Sequence, residues 1–437
     1  MRKQQLGQFF TVSTRVQDVM AALVQHQTGT ALEPSAGEGH LAAALFSQRP
    51  GLSITSVELD PKLAWHGPGT PECAEFLSWS RSRTGSFDVV FGNPPYVALK
   101  DVSATTRRRI GHQIDDWHGK ANLYHLFIKR SAELLTDKGE MVFIVPTDWM
   151  YQTATAPLRE YLLSLGSVTH VVNVGEERVF PDADVPALCI FRFQRGSRSR
   201  QVLYSCQLGQ KWERRRLVAH GDRWFFLSSS VAAAVSGWAP LGEQFTPKVG
   251  MVTGLDAAFR IPPRSVEASV TRRMLTTTRG METFIDVNHC TSEGEIPPRA
   301  LAHLTNHKDA LLSRRIRSFD ESNWWQWGAV RNRAEMASRA DRFFVLAKTR
   351  AADPFFTLKS NGFYTAGVVG LFRADDAMSV PAALHAANSS TFRHVLDGMQ
   401  LVTGDKLQVQ PSTLQDALFP LDENEALSLE AFTHPPA

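Results

Sequence analysis

From residue 15 to residue 193, short apolar runs alternate with helix-length amphipathic segments, and that alternation predicts a parallel α/β sheet. The strand-like runs are Ala31-Leu32, Ile54 to Val57, Phe87 to Phe91, Met141 to Val145, Val168 to Val174 and Ala187 to Phe193. Only Glu176 to Pro186 separates the last two, too short for a helical crossover, so these two are expected to pair as an antiparallel hairpin. The expected sheet is therefore mostly parallel with one reversed strand. Sheets of this class bind ligands beyond the carboxyl ends of their strands.

After Phe193 the polar stretch Gln194-Arg-Gly-Ser-Arg-Ser-Arg200 breaks the pattern, and a less regular region rich in Trp and Arg follows. Pro240, Gly242 and Pro247 then cluster, which places an expected boundary between a first domain over 1–240 and a second, α+β domain over 241–437. A length of 437 residues agrees with two lobes. The chain shows no internal repeat or low-complexity tract.

With 43% hydrophobic and 10% aromatic residues the chain can build proper cores, and its composition is not that of a disordered protein. A formal charge of +3 permits a polyanionic partner without demanding one. The cysteines, Cys73, Cys189, Cys206 and Cys290, form no C-x-x-C pair or Cys/His cluster, so neither a metal site nor a disulfide framework is expected. The start of the chain has no apolar core of signal-peptide length, and no run of about 18 apolar residues follows. A soluble, cytoplasmic protein with no membrane partner is the expectation.

The chemistry lies at the strand ends. Leu32-Glu33-Pro34-Ser35-Ala36-Gly37-Glu38-Gly39 follows the first strand and opens a helix, and its small residues let backbone approach a ligand. Alone, it reads equally well as a Gly-rich turn with no ligand. At the end of the next strand, about 20 residues on, Val57-Glu58-Leu59-Asp60 supplies a carboxylate suited to the two hydroxyls of a ribose. The absence of G-x-G-x-x-G favours a nucleoside-type cofactor over a dinucleotide.

The most specific segment is Phe87 to Tyr96, an apolar strand running into Asn93-Pro94-Pro95-Tyr96. Two prolines stiffen the loop and remove two backbone donors, so it presents acceptors, the Asn93 side-chain oxygen and the Pro94 carbonyl. An amine is the natural guest. If it donates to both acceptors, its lone pair is freed from conjugation to attack an electrophilic methyl, while Tyr96 offers a face for stacking a base.

These residues resemble the gamma-class DNA adenine-N6 methyltransferases of restriction-modification systems, in which a target recognition domain follows a Rossmann-like catalytic domain. The resemblance spans essentially the whole chain and implies S-adenosylmethionine as cofactor and double-stranded DNA as substrate. Leu6-Gly7-Gln8-Phe9-Phe10-Thr11 is similar to the family's N-terminal motif, where Thr11 would meet the methionine carboxylate. Glu33, Ser35, Ala36, Gly37 and Glu58 match the cofactor loop and ribose acid, and Asn93, Pro94, Pro95 and Tyr96 match the catalytic tetrapeptide. Phe180, in Val179-Phe180-Pro181, matches a residue that stacks the target base. One departure is Ala74-Glu75-Phe76, where the family commonly has Asp-Phe; Glu75 would accept the cofactor's adenine amine and Phe76 would lie against its ring.

Lys100, Arg107, Arg108, Arg109 and Lys120 fall in a stretch resembling the family's substrate-side loop, whose cations would hold phosphates; a Thr105-capped helix with a solvated basic face is the equal alternative. In the second lobe Lys248 to Gly254, Trp324-Trp325-Gln326-Trp327, Lys348-Thr349-Arg350 and Thr403-Gly404-Asp405-Lys406 resemble recognition domains, with Lys348, Arg350 and Lys406 as candidate DNA contacts. Trp324 and Trp325 are expected in the core.

The resemblance thus implies methylation of adenine N6 in duplex DNA, on a base flipped out of the helix, with any cognate restriction endonuclease encoded separately. Protein-glutamine and RNA methyltransferases use the same Asn-Pro-Pro-Tyr chemistry and form one alternative. A non-catalytic DNA-specificity subunit forms another.

Overall fold

The computed structural model describes residues 11–111, 121–175, 187–338, 340–358, 362–403 and 405–432. The chain divides into two compact units, Met1–Ala233 with Asp397–Gly404, and Ala234–Leu396 with Asp405–Ala437.

The first unit opens on α1 (Thr14–Leu23), whose Val16, Met20 and Leu23 recur at helical spacing and are buried. Then come β1 (Thr28–Glu33), α2 (His40–Gln48), β2 (Gly51–Glu58), β3 (Glu72–Cys73), α3 (Phe76–Trp79), β4 (Phe87–Gly92), α4 (Ala104–Ile110), α5 (Leu123–Leu134), β5 (Leu135–Pro146), α6 (Ala156–Leu165), β6 (Gly166–Asn173), β7 (Leu188–Arg195), β8 (Gln201–Ser205), β9 (Glu213–His220) and β10 (Arg223–Leu227). They form one sheet of ten strands in the order β10-β9-β8-β6-β7-β5-β4-β1-β2-β3.

The six predicted strands are β1, β2, β4, β5, β6 and β7, and β7 is antiparallel to both its neighbours, β5 and β6. The expectation of a single reversed strand needs correction, because β9 also runs antiparallel, to β8 and to β10. Its sequence hides the strand: within Arg214-Arg215-Arg216-Leu217 only Arg215 and Leu217 are buried, a period of two written mostly in arginine. Arg215 is tolerated inside because Asp397 lies 2.7 Å from its guanidinium and Glu213 2.9 Å.

Successive residues of the central strands enter two different cores. Val90, Met141, Phe143 and Val145 pack on one face, with Phe127 and Trp149, while Val89, Phe91, Val142 and Ile144 pack on the other, with Met20 and Leu41. A sheet covered on both faces explains why β4 and β5 read as continuous apolar runs rather than alternating ones.

Asp397–Gly404, although far along the chain, belongs to this first unit. Gln400 accepts a hydrogen bond from the Tyr204 hydroxyl at 3.0 Å, and a Cβ at Gly398 would lie only 2.5 Å from a Leu227 methyl.

The second unit mixes helices with small sheets. β11 (Phe245–Val249) pairs with β17 (Val368–Arg373), which pairs with β15 (Arg342–Leu346), and a second sheet has the order β12 (Arg260–Ile261), β14 (Met281–Ile285), β13 (Thr271–Leu275), β16 (Phe363–Tyr364). Trp324 and Trp325 are in its core as expected, as is Trp327, whose indole N–H donates to the Ile285 carbonyl at 3.0 Å. Among the described residues the four cysteines are free and no helix is long and apolar enough to cross a membrane.

Candidate active site

The turn after β1 is held from two sides. The Gly37 N–H donates to Glu58 Oε2 at 2.7 Å and the Ala36 N–H to the Val57 carbonyl at 3.0 Å, so the loop is pinned to the end of β2. Gly39 has φ +82°, and a Cβ there would fall 2.6 Å from the Trp65 ring, which explains the glycine. Glu58 also accepts the Asp60 N–H, at 2.9 Å through Oε1. Each of its oxygens thus holds one backbone donor, and a carboxylate oxygen can accept a second.

Glu33, at the end of β1, is 2% exposed, and among the described residues its Oε2 has no hydrogen-bond partner. Burial, with the nearby charge of Glu58 adding to it, pushes its carboxyl well above the usual carboxylate range. A buried acid in this condition is costly unless a cation or donor completes it. A ligand carrying positive charge beside the loop would do so.

β4 delivers Asn93 to the same place. The Asn93 Nδ2 donates to Thr11 Oγ1 at 3.1 Å, and the Ser35 hydroxyl donates to the Asn93 carbonyl at 2.9 Å. Three segments distant in sequence, those of Thr11, Ser35 and Asn93, therefore meet in one hydrogen-bonded cluster. With Nδ2 turned to Thr11, Oδ1 occupies the opposite side of the amide.

Tyr96 is anchored below this loop, its hydroxyl donating to the Ile144 carbonyl at 2.9 Å and its ring meeting Tyr124 edge-on at 5.9 Å. The Tyr124 hydroxyl in turn donates to Asp148 at 2.5 Å. Burial raises both phenols well above their ordinary values, so neither ionises near neutrality, and it raises the Asp148 carboxyl as well. Tyr124 and Asp148 carry no sequence motif, and only the packing of α5 against the end of β5 reveals them.

Glu75 is buried and caps α3, its two oxygens accepting the N–H groups of Leu77 at 3.0 Å and Ser78 at 2.7 Å. Its carboxyl is raised by desolvation. Phe76 is 2% exposed and packs on Phe127 at 4.7 Å. Both residues named for the cofactor's adenine are thus also part of the fold.

Lys100, Arg107, Arg108 and Arg109 are exposed, the last three on α4. The cap of that helix is Ser103 rather than Thr105, because the Ser103 hydroxyl accepts the Thr106 N–H at 3.1 Å. Arg107 is partly committed to the fold, donating to the Leu99 carbonyl at 2.6 Å. Lys348, Arg350 and Lys406 are exposed and meet on one strand pair of the second unit, where Arg350 lies opposite Lys406 and Lys348 opposite Gln408. Phe180, Lys120 and the stretch from Leu6 to Phe10 lie outside the described residues.

The mostly parallel sheet thus carries a pinned loop after β1, an acid ending β2 and Asn-Pro-Pro-Tyr leaving β4, on three adjacent strands. Residues 65–180 match the family described as Eco57I restriction-modification methylase. The chain is 29% identical over 255 residues to the Type II methyltransferase M.TthHB8I of Thermus thermophilus, covering 54% of this chain and 54% of that protein. It is 28% identical over 200 residues to M.HincII of Haemophilus influenzae, covering 45% of this chain and 38% of that protein. The chain therefore spans about half the length of one of these curated relatives and less of the other. In fold it is similar to the Type IIL restriction-modification enzyme MmeI, solved in complex with DNA, with a TM-score of 0.58 at 10% identity over 92% of this chain and 63% of that one. The similarity thus lies with methyltransferases of restriction-modification systems.

Proposed function

We propose that the protein methylates N6 of a flipped-out adenine in duplex DNA at a specific sequence, as the modification enzyme of a restriction-modification system. The observation that carries this reading is the tie between the loops: Ser35 and Thr11, from the cofactor side, hydrogen-bond to Asn93, the residue placed to receive the amine.

S-adenosylmethionine, when bound, supplies a methyl group made electrophilic by its sulfonium. Glu58 would take the ribose hydroxyls with the lone pairs that Gly37 and Asp60 leave, and Glu33 would face the cationic end of the molecule. Thr11 accepts from Asn93 and keeps its own hydroxyl proton for the methionine carboxylate. That sets the orientation of the Asn93 amide, so that Oδ1 and the Pro94 carbonyl accept the two hydrogens of N6 and leave its lone pair directed at the methyl. The target base must leave the stack to reach them, with Tyr96 and Phe180 stacking it in place of its neighbours. Positioning accounts for the catalysis. Lys348, Arg350 and Lys406 would contact phosphates, as would Lys100 and the arginines of α4.

The test is incubation with labelled S-adenosylmethionine and duplex DNA, followed by nucleoside analysis. N6-methyladenine is expected, and Asn93→Ala should remove it while leaving cofactor binding intact. Label found on protein glutamine or RNA instead of DNA, or an Asn93→Ala variant as active as the parent, would overturn the reading.

A further inference from the structure

The loop that follows β2 lies over the turn that follows β1, and this brings together three side chains with no common motif, Glu38, His40 and His66. We propose that they form a binding site for a divalent transition ion of the Zn2+ type.

The backbone sets the arrangement. The His66 N–H donates to the Glu38 carbonyl at 2.8 Å, the Trp65 ring fills the space left by the missing Cβ of Gly39, and the Trp65 indole N–H closes the loop on the Gly69 carbonyl at 2.8 Å. One ligand atom from each of Glu38, His40 and His66 lies within 4.8 Å of the other two. His40 Nε2 is 3.3 Å from Glu38 Oε2, and the two imidazoles are stacked 5.1 Å apart at an interplanar angle of 9°. Two imidazoles and a carboxylate are the donor set of zinc sites that keep a position open to water. Ligands on a tetrahedral ion with bonds of ~2.0–2.1 Å stand about 3.3 Å apart, the separation His40 Nε2 and Glu38 Oε2 already have, so His66 has to close by at most roughly 1.5 Å. Parallel rings cannot both point at one ion; His66, which is exposed, is the ring free to turn out of the stack. An ion held there would lock the 65–69 loop to the turn whose Gly37 is bound by Glu58.

Cys73 and Cys206 are exposed thiols that would compete for zinc, so the test uses the full chain, untagged and stripped of metal, with both changed to serine. Calorimetric titration with Zn2+ should show one equivalent bound. His40→Ala and His66→Ala should each weaken that binding at least tenfold, and Glu38→Gln by less. Zn2+ should raise the melting temperature of the parent but not of the His40→Ala/His66→Ala double variant, with a cooperative melt showing that this variant is folded. Absence of the one-equivalent binding in the parent, or Zn2+ affinity unchanged in the folded double variant, would overturn the proposal.

Discussion

Replacing Glu58 by alanine removes two kinds of interaction that a single affinity measurement would mix. The carboxylate accepts the Gly37 N–H at 2.7 Å and the Asp60 N–H at 2.9 Å, which organises the turn after β1, the proposed cofactor loop, before any ligand arrives. Hydrogen bonds to a charged group contribute about 1.5–3 kcal/mol each, and Glu58 is only half-buried, so the lower end applies. Every ligand that uses the loop loses this contribution. The proposed ribose contact is additional and is felt only by a ligand that has ribose hydroxyls. S-adenosylhomocysteine and its 2′,3′-dideoxy analogue separate the two. On Glu58→Ala the dideoxy compound should weaken by the loop cost alone, and the parent compound by a further ~1–3 kcal/mol for its unpaired hydroxyls. At 1.4 kcal/mol per decade that is roughly five- to 150-fold in the ratio of dissociation constants. Calorimetry with both ligands on both proteins completes the cycle. Equal losses for the two ligands would refute the ribose assignment and leave Glu58 as a tether of the loop.

Tyr96→Phe removes the hydroxyl bonded to the Ile144 carbonyl and keeps the ring, so denaturant unfolding should show about 1 kcal/mol lost with methyl transfer nearly unchanged, whereas Tyr96→Ala should cost ~1–3 kcal/mol in transfer. Equal losses of activity would assign a role to the hydroxyl rather than the ring. His125, buried on α5 with Nδ1 accepting the Asn122 N–H, has its imidazolium pKa pushed down to about 3, by burial first and Arg159 second. Between about pH 6.5 and pH 3 the unfolded chain binds a proton that the folded chain refuses, so this residue favours the fold fully above that window and progressively less as pH falls through it. From pH 7 to pH 5 the parent should lose on the order of 2 kcal/mol more than His125→Asn, and identical losses would refute the assignment. Finally, Lys348→Gln, Arg350→Gln and Lys406→Gln together should lower the salt dependence of DNA binding by ~0.9 per phosphate contact, hence about 2.7 in all, and an unaltered slope would remove this strand pair from the DNA surface.

What could be read from the sequence was what strand periodicity and local motifs encode. The runs ending at Leu32, Val57 and Phe91 became β1, β2 and β4, and because a parallel sheet aligns its strand ends, the residues at and just beyond them came together. The meander of β8 to β10 was not legible, since Arg215 is buried by virtue of Asp397, a partner much later in the chain. The motif resemblance put Thr11 at the methionine carboxylate, but neither its hydrogen bond from Asn93 nor the one from Ser35 to the Asn93 carbonyl had a signature in the sequence. Arg107 shows the opposite limit: its composition suggests a phosphate ligand, yet local geometry turns it back on the Leu99 carbonyl. The meeting of Glu38 and His40 with His66 depends on how one loop lies on another, which no spacing rule records.

The return of Asp397–Gly404 to the first unit bears on how such a protein can be taken apart or recombined. A cut near Pro240 looks like a clean separation of modules, but it would take Asp397 from Arg215, leaving Glu213 to pair that buried cation, and would take from the Tyr204 hydroxyl the Gln400 oxygen to which it donates. A chimera made with one crossover would import a foreign version of the same eight-residue stretch and ask it to fit Leu227 and Tyr204 of the host. Exchange of the second unit alone therefore calls for three junctions, one near Ala233 and one on either side of the returning stretch, so that each unit keeps its own residues. The second unit is thus exchangeable only as two segments, Ala234–Leu396 and Asp405–Ala437, never as a single piece joined at one point.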